Sequence, residues 1–482
     1  MPKGVFFTGG NSPPWLGSNP LFCKGMNTSP PLPPAFVARM QTQISDWEAL
    51  ASALQGSAPV SLRRHPRKGK IGHDLAPIPW EPQGLYLPTR PVFTLDPRLH
   101  AGAYYVQEAS SMFLAQALEQ HGPTTPVAAL DLCAAPGGKS THLQSLLPSG
   151  SLVVVNEVIR SRASILAENV LKWSDPGLVV TARDPRDWGQ LPPLFEVLLV
   201  DAPCSGEGLF RKDRAARSEW SERHAQMCAE RQRRILTDVW PVLQPGGLLI
   251  YSTCTYNPAE NLENLAWLQA QTGAESLPLT CDPNWGVEEL NSPGLFGYQL
   301  APHHLQGEGF FIGLLRKPGQ PVPVRSPRKS PLPLLERKRQ AELAAWVGGE
   351  GLWLQHGDEV SWVQPGYEAL LTQIMAWKVP GLPWGTPVAE QRGKAWVPAH
   401  GLALSPHLGT AFAQVALTRT EALTYLRKEE ILPDSPETGW VQVTYDGLGL
   451  GWIKHQGTRA TNAYPKEWRI LMPLPDPLPP LF

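Results

Sequence analysis

The chain lacks any apolar run approaching the roughly eighteen residues a membrane-crossing helix needs, so no membrane span or membrane partner is expected. It also lacks an excess of either charge. Lys and Arg number 42 against 43 for Asp and Glu, so net charge gives no argument for a nucleic-acid partner. Any RNA- or DNA-binding surface must come from local clustering. The start, MPKGVFFTGGNSPPWLGSNPLFCKG, has neither a sustained apolar segment nor a small-residue cleavage site, and does not read as a secretion signal. Residues 1–30 read as an unstructured leader or a start codon called too early, with Met26 opening a more natural beginning. Without a signal the cytoplasm is the expected compartment, where thiols stay reduced. Six cysteines are present, and no two have a C-x-x-C or other zinc-ligand spacing. No metal is expected, and most of these cysteines should pack as small apolar side chains.

What is present is enough for more than one core. Apolar residues make up 42% of 482 positions, and a chain of this length suggests two to four domains. The 52 prolines and 18 tryptophans suggest rigid turns and aromatic surface. Residues 31–126 read as a helix-rich amino-terminal region, with helical periodicity in PPAFVARMQTQISDWEALASALQ. PVSLRRHPRK reads as a strand and a basic turn, and GAYYVQEASSMFLAQALEQ as an extended start that becomes helix near Ser110. From 127 to 316, strands such as VAALDLC, GSLVVVNE, GLVVTARD, FEVLLVD, GGLLIYSTC and GFFIGLLRK alternate with amphipathic helices. That alternation specifies an α/β, doubly wound parallel sheet, Rossmann-like in kind, whose ligands bind beyond the carboxyl ends of the strands. Residues 317–333 read as a proline-rich basic linker. Residues 334–482 read as an α+β module with one clear helix, TRTEALTYLRKE, and a hairpin, GWVQVTYDGLGLGWIKHQG.

Two stretches carry chemistry. In LDLCAAPGGKST a strand ends at an acid, and Gly137 and Gly138 let the backbone approach a ligand before a helix begins. A Walker loop would need glycine where Cys133 stands, and the dinucleotide pattern G-x-G-x-x-G is absent. A ligand with a ribose, an adenine and a zwitterionic tail remains, and S-adenosylmethionine fits. Glu157 follows the second strand, where a carboxylate can take two ribose hydroxyls, and Asp184 follows the third, where it can accept from the adenine amino group. Each alone also reads as a polar strand end or a helix cap.

The second stretch is a pair of thiols. Cys204 and Cys254 each end an apolar strand, and neighbouring strands would bring both to the cofactor's cleft. A disulfide is disfavoured in a reducing compartment. Beside a methyl donor, a thiolate has a specific use. It can add to carbon 6 of cytosine, make carbon 5 nucleophilic, and leave once a base removes the carbon 5 proton. Asp201 can hydrogen-bond the ring's N3 and amino edge.

DLCAAPGGKST, DAPCSGEGLFRKD and YSTCTYNPAENLENLAWL together resemble the RNA (cytosine-5) methyltransferase family of the NOL1/NOP2/Sun proteins. HAGAYYVQEASSM is similar to that family's segment before the cofactor loop. The hairpin, with NAYPKEWR, resembles the carboxy-terminal RNA-binding part of the bacterial RsmF-type members, which methylate 16S ribosomal RNA. The resemblance covers residues 31–315 well and the tail more loosely. It implies a class I methyltransferase domain between an amino-terminal RNA-binding region and a PUA-like carboxy-terminal RNA-binding module. It also implies Cys254 as nucleophile and Cys204 as the thiol needed for product release. The cofactor loop falls on Cys133, Ala134, Ala135, Pro136, Gly137, Gly138 and Lys139, with Lys139 near the reacting base. The acids fall on Glu157, Asp184 and Asp201. The implied partner is RNA, 16S rRNA in the small subunit, and the protein is expected to act as a monomer.

RNA contacts are expected from two basic clusters. SLRRHPRKGK holds Arg63, Arg64, Arg67, Lys68 and Lys70, and LFRKDRAAR holds Arg211, Lys212, Arg214 and Arg217. Either also reads as a solvated face. The second follows Cys204 and is favoured for its place. A base must leave its stack to reach two thiols. The alternatives are a 23S rRNA or tRNA substrate, a catalytically silent ribosome-associated protein, and a small-molecule methyltransferase. A DNA cytosine-5 enzyme would make Cys204 the nucleophile, but no partner Glu-Asn-Val motif is present.

Overall fold

Strands such as LVVVN and LVVT are apolar at nearly every position, which suits a sheet covered on both faces. In the computed structural model, which describes residues 30–69, 71, 74–324, 332–433 and 437–482, they lie inside one. The expected leader apart from Pro30, and residues 325–331 of the expected linker, lie outside the described residues. β1 (Ala128–Asp131), β2 (Leu152–Asn156), β3 (Leu178–Thr181), β4 (Phe195–Asp201) and β5 (Leu243–Thr253) run parallel in the order β3-β2-β1-β4-β5. β6 (Glu288–Ser292), β7 (Leu295–Leu300) and β8 (Phe310–Arg316) extend the sheet antiparallel beyond β5, in the order β8-β7-β6. The expected parallel sheet therefore holds for five strands. The β6–β7 hairpin was not read from ELNSPGLFGYQL, because β6 is largely exposed and has no apolar alternation.

Register lines up the carboxyl ends. Leu130 lies opposite Leu198, and Asp201 opposite Ser252. Strand order reverses between β1 and β4, which opens a crevice there. Ala129, Val153, Val155, Leu199 and Ile250 pack on one face with Met112, Phe113 and Trp80 from the amino-terminal region. Leu130, Val154, Leu198, Val200 and Tyr251 pack on the other with Leu371, Ile374 and Trp384 from the carboxy-terminal part. Each such side chain contributes about 2 kcal/mol by leaving water, so the sheet is a rigid frame for the loops at its edge.

The amino-terminal region holds the expected helices and, beyond the expectation, a sheet. Helices Pro34–Gln43 and Trp47–Gln55 are followed by a four-stranded antiparallel sheet, built from Pro77–Ile78, Glu81–Leu87, Val60–Arg64 and Tyr104–Tyr105 in that spatial order. Pro82 and Gly84 hide the strand pattern in EPQGLYL. Glycine suits the close packing there, since a Cβ would sit 2.8 Å from Ile78 Cδ1 and 3.0 Å from both Ile78 Cβ and Met112 Sδ.

Two four-stranded sheets make up the carboxy-terminal part. The first spans Leu352–His356, Glu359–Val363, Thr386–Arg392 and Ala395–Pro398. Its approach segment covers the edge of β3, with Val180 N donating to Pro383 O at 2.8 Å and Gly385 N to Leu178 O at 2.8 Å. In the second, the expected hairpin forms between Gly439–Tyr445 and Leu448–His455. Its turn, Asp446-Gly447, has φ of 52° and 73°, the left-handed pair a two-residue hairpin loop requires. The expected helix is Arg419–Leu426, with a Thr418–Glu421 capping box. Among the described residues no helix is long and apolar enough to cross a membrane.

Candidate active site

The loop after β1 is pinned between its neighbours. Leu132 N donates to Leu199 O at 3.0 Å and Ala134 N to Asn156 O at 2.9 Å. Arg162 Nη2 donates to Ala135 O at 2.9 Å, and Asn169 Nδ2 to Pro136 O at 2.8 Å. Gly137 has φ of 112°, and the helix Gly138–Leu146 starts directly after it. The Cys133 thiol is pushed up by burial, so it is a neutral packing group here. Asp131 ends β1 fully buried. Ser140 Oγ donates to its Oδ2 at 2.7 Å, while Oδ1 has no hydrogen-bond partner. Burial pushes this carboxyl up to about 7. A buried acceptor without a partner, beside a glycine-opened loop, fits a ligand that brings its own cationic ammonium.

The two other strand-end acids differ. Glu157, buried after β2, accepts from Ile159 N at 2.9 Å and lies 3.2 Å from Arg162 Nη1. These contacts leave lone pairs for ribose hydroxyls. Asp184, after β3, caps the short helix Pro185–Trp188. It accepts from Arg186 N at 3.1 Å and Arg186 Nε at 3.2 Å, and the backbone hydrogen bond lowers its pKa. The capping role is the one this geometry displays.

On the other side of the crevice four expected residues meet. β4 and β5 are parallel neighbours, and Cys204 Sγ lies 3.1 Å from Cys254 Sγ, both thiols being free. Cys254 N donates to Cys204 Sγ at 3.3 Å. The sulfur–sulfur hydrogen bond, and then burial, hold the Cys204 thiol well above its ordinary pKa. Lys139 Nζ donates to Asp201 Oδ2 at 2.9 Å, and Ser252 Oγ to Asp201 Oδ1 at 2.8 Å. Burial opposes the Lys139 charge, but Asp201 outweighs it, and the ammonium pKa ends above its ordinary value. Lys139 thus links the helix after the glycine loop to the strand that delivers Cys204.

Two buried acids missed by the sequence reading hold these loops. Glu260 accepts from Ser205 N at 2.8 Å, Ser205 Oγ at 2.5 Å and Gln232 Nε2 at 3.0 Å. Gln232 Nε2 also donates to Pro203 O at 3.0 Å, so both residues flanking Cys204 are fixed. Burial pushes Glu260 up to about 7. Glu207 accepts from Arg39 Nη2 at 2.5 Å, Trp220 Nε1 at 3.1 Å and Tyr256 N at 3.2 Å. It ties the amino-terminal helices to both thiol loops. The only signal was two acids inside the motif strings, and spacing does not separate a buried acid from an exposed one.

The basic clusters require corrections. Arg63 is 1% exposed and does not face RNA. It donates to Gln107 Oε1 at 2.9 Å and Thr141 Oγ1 at 2.7 Å, stacks 4.4 Å from the Trp173 ring, and so braces the helix after the Leu132–Gly137 loop. Arg64 is half-buried and donates to Pro82 O at 2.9 Å. Lys68 is buried on the carbonyls of Ala101 and Lys172. Arg67 pairs with Asp175, and Lys70 lies outside the described residues. In the second cluster, Arg211 is locked to Glu308 Oε1 at 3.0 Å, and Arg217 is buried on Phe210 O and Leu54 O. Lys212 and Arg214 remain exposed. A strand and turn in the first stretch, and a tight turn and short helix in the second, place inward charges that composition alone assigns to solvent.

Residues 116–316 match the family model for 16S rRNA methyltransferase RsmB/F. Residues 32–109 match the N-terminal domain of 16S rRNA methyltransferase RsmF, and residues 412–470 the methyltransferase RsmF PUA domain. The chain is 30% identical over 470 residues to ribosomal RNA small subunit methyltransferase F of Klebsiella pneumoniae (strain 342), covering 90% of this chain and 96% of that protein. It is 33% identical over 420 residues to the protein of the same name from Escherichia coli O6:H1, covering 82% and 85%. Among solved structures, NSun6 from Pyrococcus horikoshii aligns with a TM-score of 0.51 at 18% identity, over 60% of this chain and 99% of that one. The crystal structure of PH0851 aligns with a TM-score of 0.54 at 24% identity, over 59% and 66%. These two likenesses concern the fold alone.

Proposed function

The chain belongs to the RsmB/F family of 16S rRNA methyltransferases, with an RsmF-type amino-terminal domain and PUA domain, and we propose that it methylates carbon 5 of a cytosine in small-subunit rRNA through a covalent bond from Cys254. The observation that carries this reading is the pair of free thiols 3.1 Å apart beside the Lys139–Asp201 pair. S-adenosylmethionine, when bound, supplies an electrophilic methyl group. Asp131 would hold its ammonium, Glu157 its ribose, and the Cys133–Gly138 backbone its tail.

The Cys254 thiolate adds to carbon 6 of the base, and the ring's electron pair moves to carbon 5. Carbon 5 takes the methyl group as the methyl–sulfur bond breaks, its electron pair staying on the departing neutral thioether. The Cys204 proton is held by the neighbouring sulfur and by burial while Cys254 carries charge. Once Cys254 is bonded to carbon, the first of these is gone, and Cys204 can lose its proton to water. Its thiolate then takes the proton from carbon 5, the carbon 5–carbon 6 double bond reforms, and the Cys254 thiolate leaves. The Lys139 ammonium stabilises negative charge at the thiols. Asp201, held by Lys139 and Ser252, keeps lone pairs for the exocyclic amino group of the base. A looped-out or flipped cytosine is required. The reaction takes place in the cytoplasm, where small subunits are assembled.

Incubation with S-adenosylmethionine and unmodified small subunits, followed by bisulfite mapping, tests this. A single strong 5-methylcytosine in 16S rRNA is expected. A site in 23S rRNA or tRNA alone would retain the chemistry and overturn the substrate. Methylation at a base atom other than cytosine carbon 5 would overturn the mechanism.

A further inference from the structure

Away from the crevice, a second cluster joins the amino-terminal helices to the catalytic domain. Asp46 lies between helices Pro34–Gln43 and Trp47–Gln55, at the position where an acid usually caps the second helix. It makes no side-chain cap hydrogen bond. Its carboxylate turns instead to the loop after β7, where His303 and His304 stack with ring centroids 3.9 Å apart. Asp46 Oδ2 lies 2.7 Å from His304 Nε2 and 3.3 Å from His303 Nε2. The His303 side chain is 3% exposed; its Nε2 meets only the Asp46 carboxylate, at 3.3 Å, and its Nδ1 has no hydrogen-bond partner. A buried imidazole held by one long contact is poorly satisfied, and a stronger ligand at Nε2 would improve it.

We propose that Asp46, His303 and His304 form a divalent transition-metal site of the zinc class, with two imidazoles, one carboxylate and a position open to water. The donor set is the borderline nitrogen and oxygen set that zinc takes. One ligand atom from each residue lies within 4.8 Å of the others. Two ligands on one tetrahedral zinc ion stand about 3.3 Å apart, which is the separation already present between His303 and Asp46. The His304–Asp46 pair must open slightly, and both side chains are partly exposed and free to do so. The ion would bind Nε2 of His303 and replace its long contact with Asp46 by a shared bond to the metal. It would also fasten the amino-terminal helices to the 301–306 loop, which with Arg90 and Arg211 walls an open cavity of about 860 Å³. The cysteine spacings pointed to no metal, and nothing in the sequence brings Asp46 to the two histidines. The sheet hairpin that delivers the 301–306 loop does so.

Zinc chloride titrated calorimetrically into chelator-stripped full-length protein tests the site. Because the Cys204–Cys254 pair can also take zinc, the parent for the titration is the Cys204→Ser, Cys254→Ser double variant. One equivalent is expected to bind this parent and raise its Tm. Asp46→Asn and His304→Ala, both at partly exposed positions, should each weaken binding by at least about tenfold and abolish the Tm rise. His303→Ala should do the same, but its burial makes the other two decisive. Binding that vanishes with the two thiols, or that survives unchanged in both Asp46→Asn and His304→Ala, overturns the proposal.

Discussion

The two sides of the crevice are built by different means. On the β1 side, the loop Leu132–Gly137 is fixed mainly by backbone groups donating to β2 and β4, and by side chains reaching its carbonyls. On the β4–β5 side, the loops bearing the thiols are fixed by buried carboxylates, Glu260 and Glu207, each accepting from several donors. A loop that must present its backbone to a ligand keeps its own side chains small. A loop that must aim one sulfur at another needs directional bonds on the residues beside it, because a thiol offers only weak hydrogen bonds of its own.

The sharpest break of this comparison is at the sulfurs themselves. Cys254→Ala should reduce methylation by at least about a thousandfold and form no adduct. Cys204→Ala should accumulate a protein–RNA adduct that survives a denaturing gel. If the two variants exchange these behaviours, the thiol roles are reversed.

Next come the supports of the β1 side. Arg63→Ala should cost about 2–3 kcal/mol in denaturant unfolding, because it strands buried partners at Gln107 and Thr141. Lys212→Ala should leave stability within about 0.5 kcal/mol and lower the salt slope of RNA binding by about one. A wild-type unfolding curve for Arg63→Ala would return that arginine to the surface.

Smaller effects separate the two sides kinetically. Glu260→Gln should lower kcat about tenfold by loosening the Cys204 loop, with little change in KM for S-adenosylmethionine. Asp131→Asn should raise that KM by a similar factor. If Glu260→Gln acts on KM and Asp131→Asn on kcat, the division of labour is wrong.

The smallest effect is on pH dependence. Asp131 and Glu260 are pushed up to about 7 in the fold, from ordinary values near 3.8 and 4.5. The folded state therefore binds more protons than the unfolded chain across that interval, and stability falls as pH rises from about 4 to about 7. Asp131→Asn and Glu260→Gln should each flatten this slope in urea titrations at a series of pH values.

Much of the frame was legible because it depends on local pattern. The apolar runs of β1 to β5, the glycine pair at 137–138 and the Asp446-Gly447 turn are set by residues near one another in the chain. The reading failed where one feature masks another. Pro82 and Gly84 hid a strand, and β6 is too exposed to show a pattern. The clusters at 61–70 and 211–217 looked like surface because charge is normally solvated, yet Arg63, Lys68 and Arg217 are buried on carbonyls and aromatic rings.

By itself the sequence determined the kinds of elements, their order and the chemistry available, since helix periodicity, strand apolarity and thiol identity are local properties. Only the tertiary structure decided what meets. Cys204 reaches Cys254 because β4 and β5 are paired with Asp201 opposite Ser252. Glu260 and Glu207 became supports because packing removed them from water, and Asp46 faces His303 and His304 because a hairpin returns that loop to the amino-terminal helices. Contacts between distant segments depend on which strands pair and which faces are covered, and that is settled by the burial of the whole chain at once.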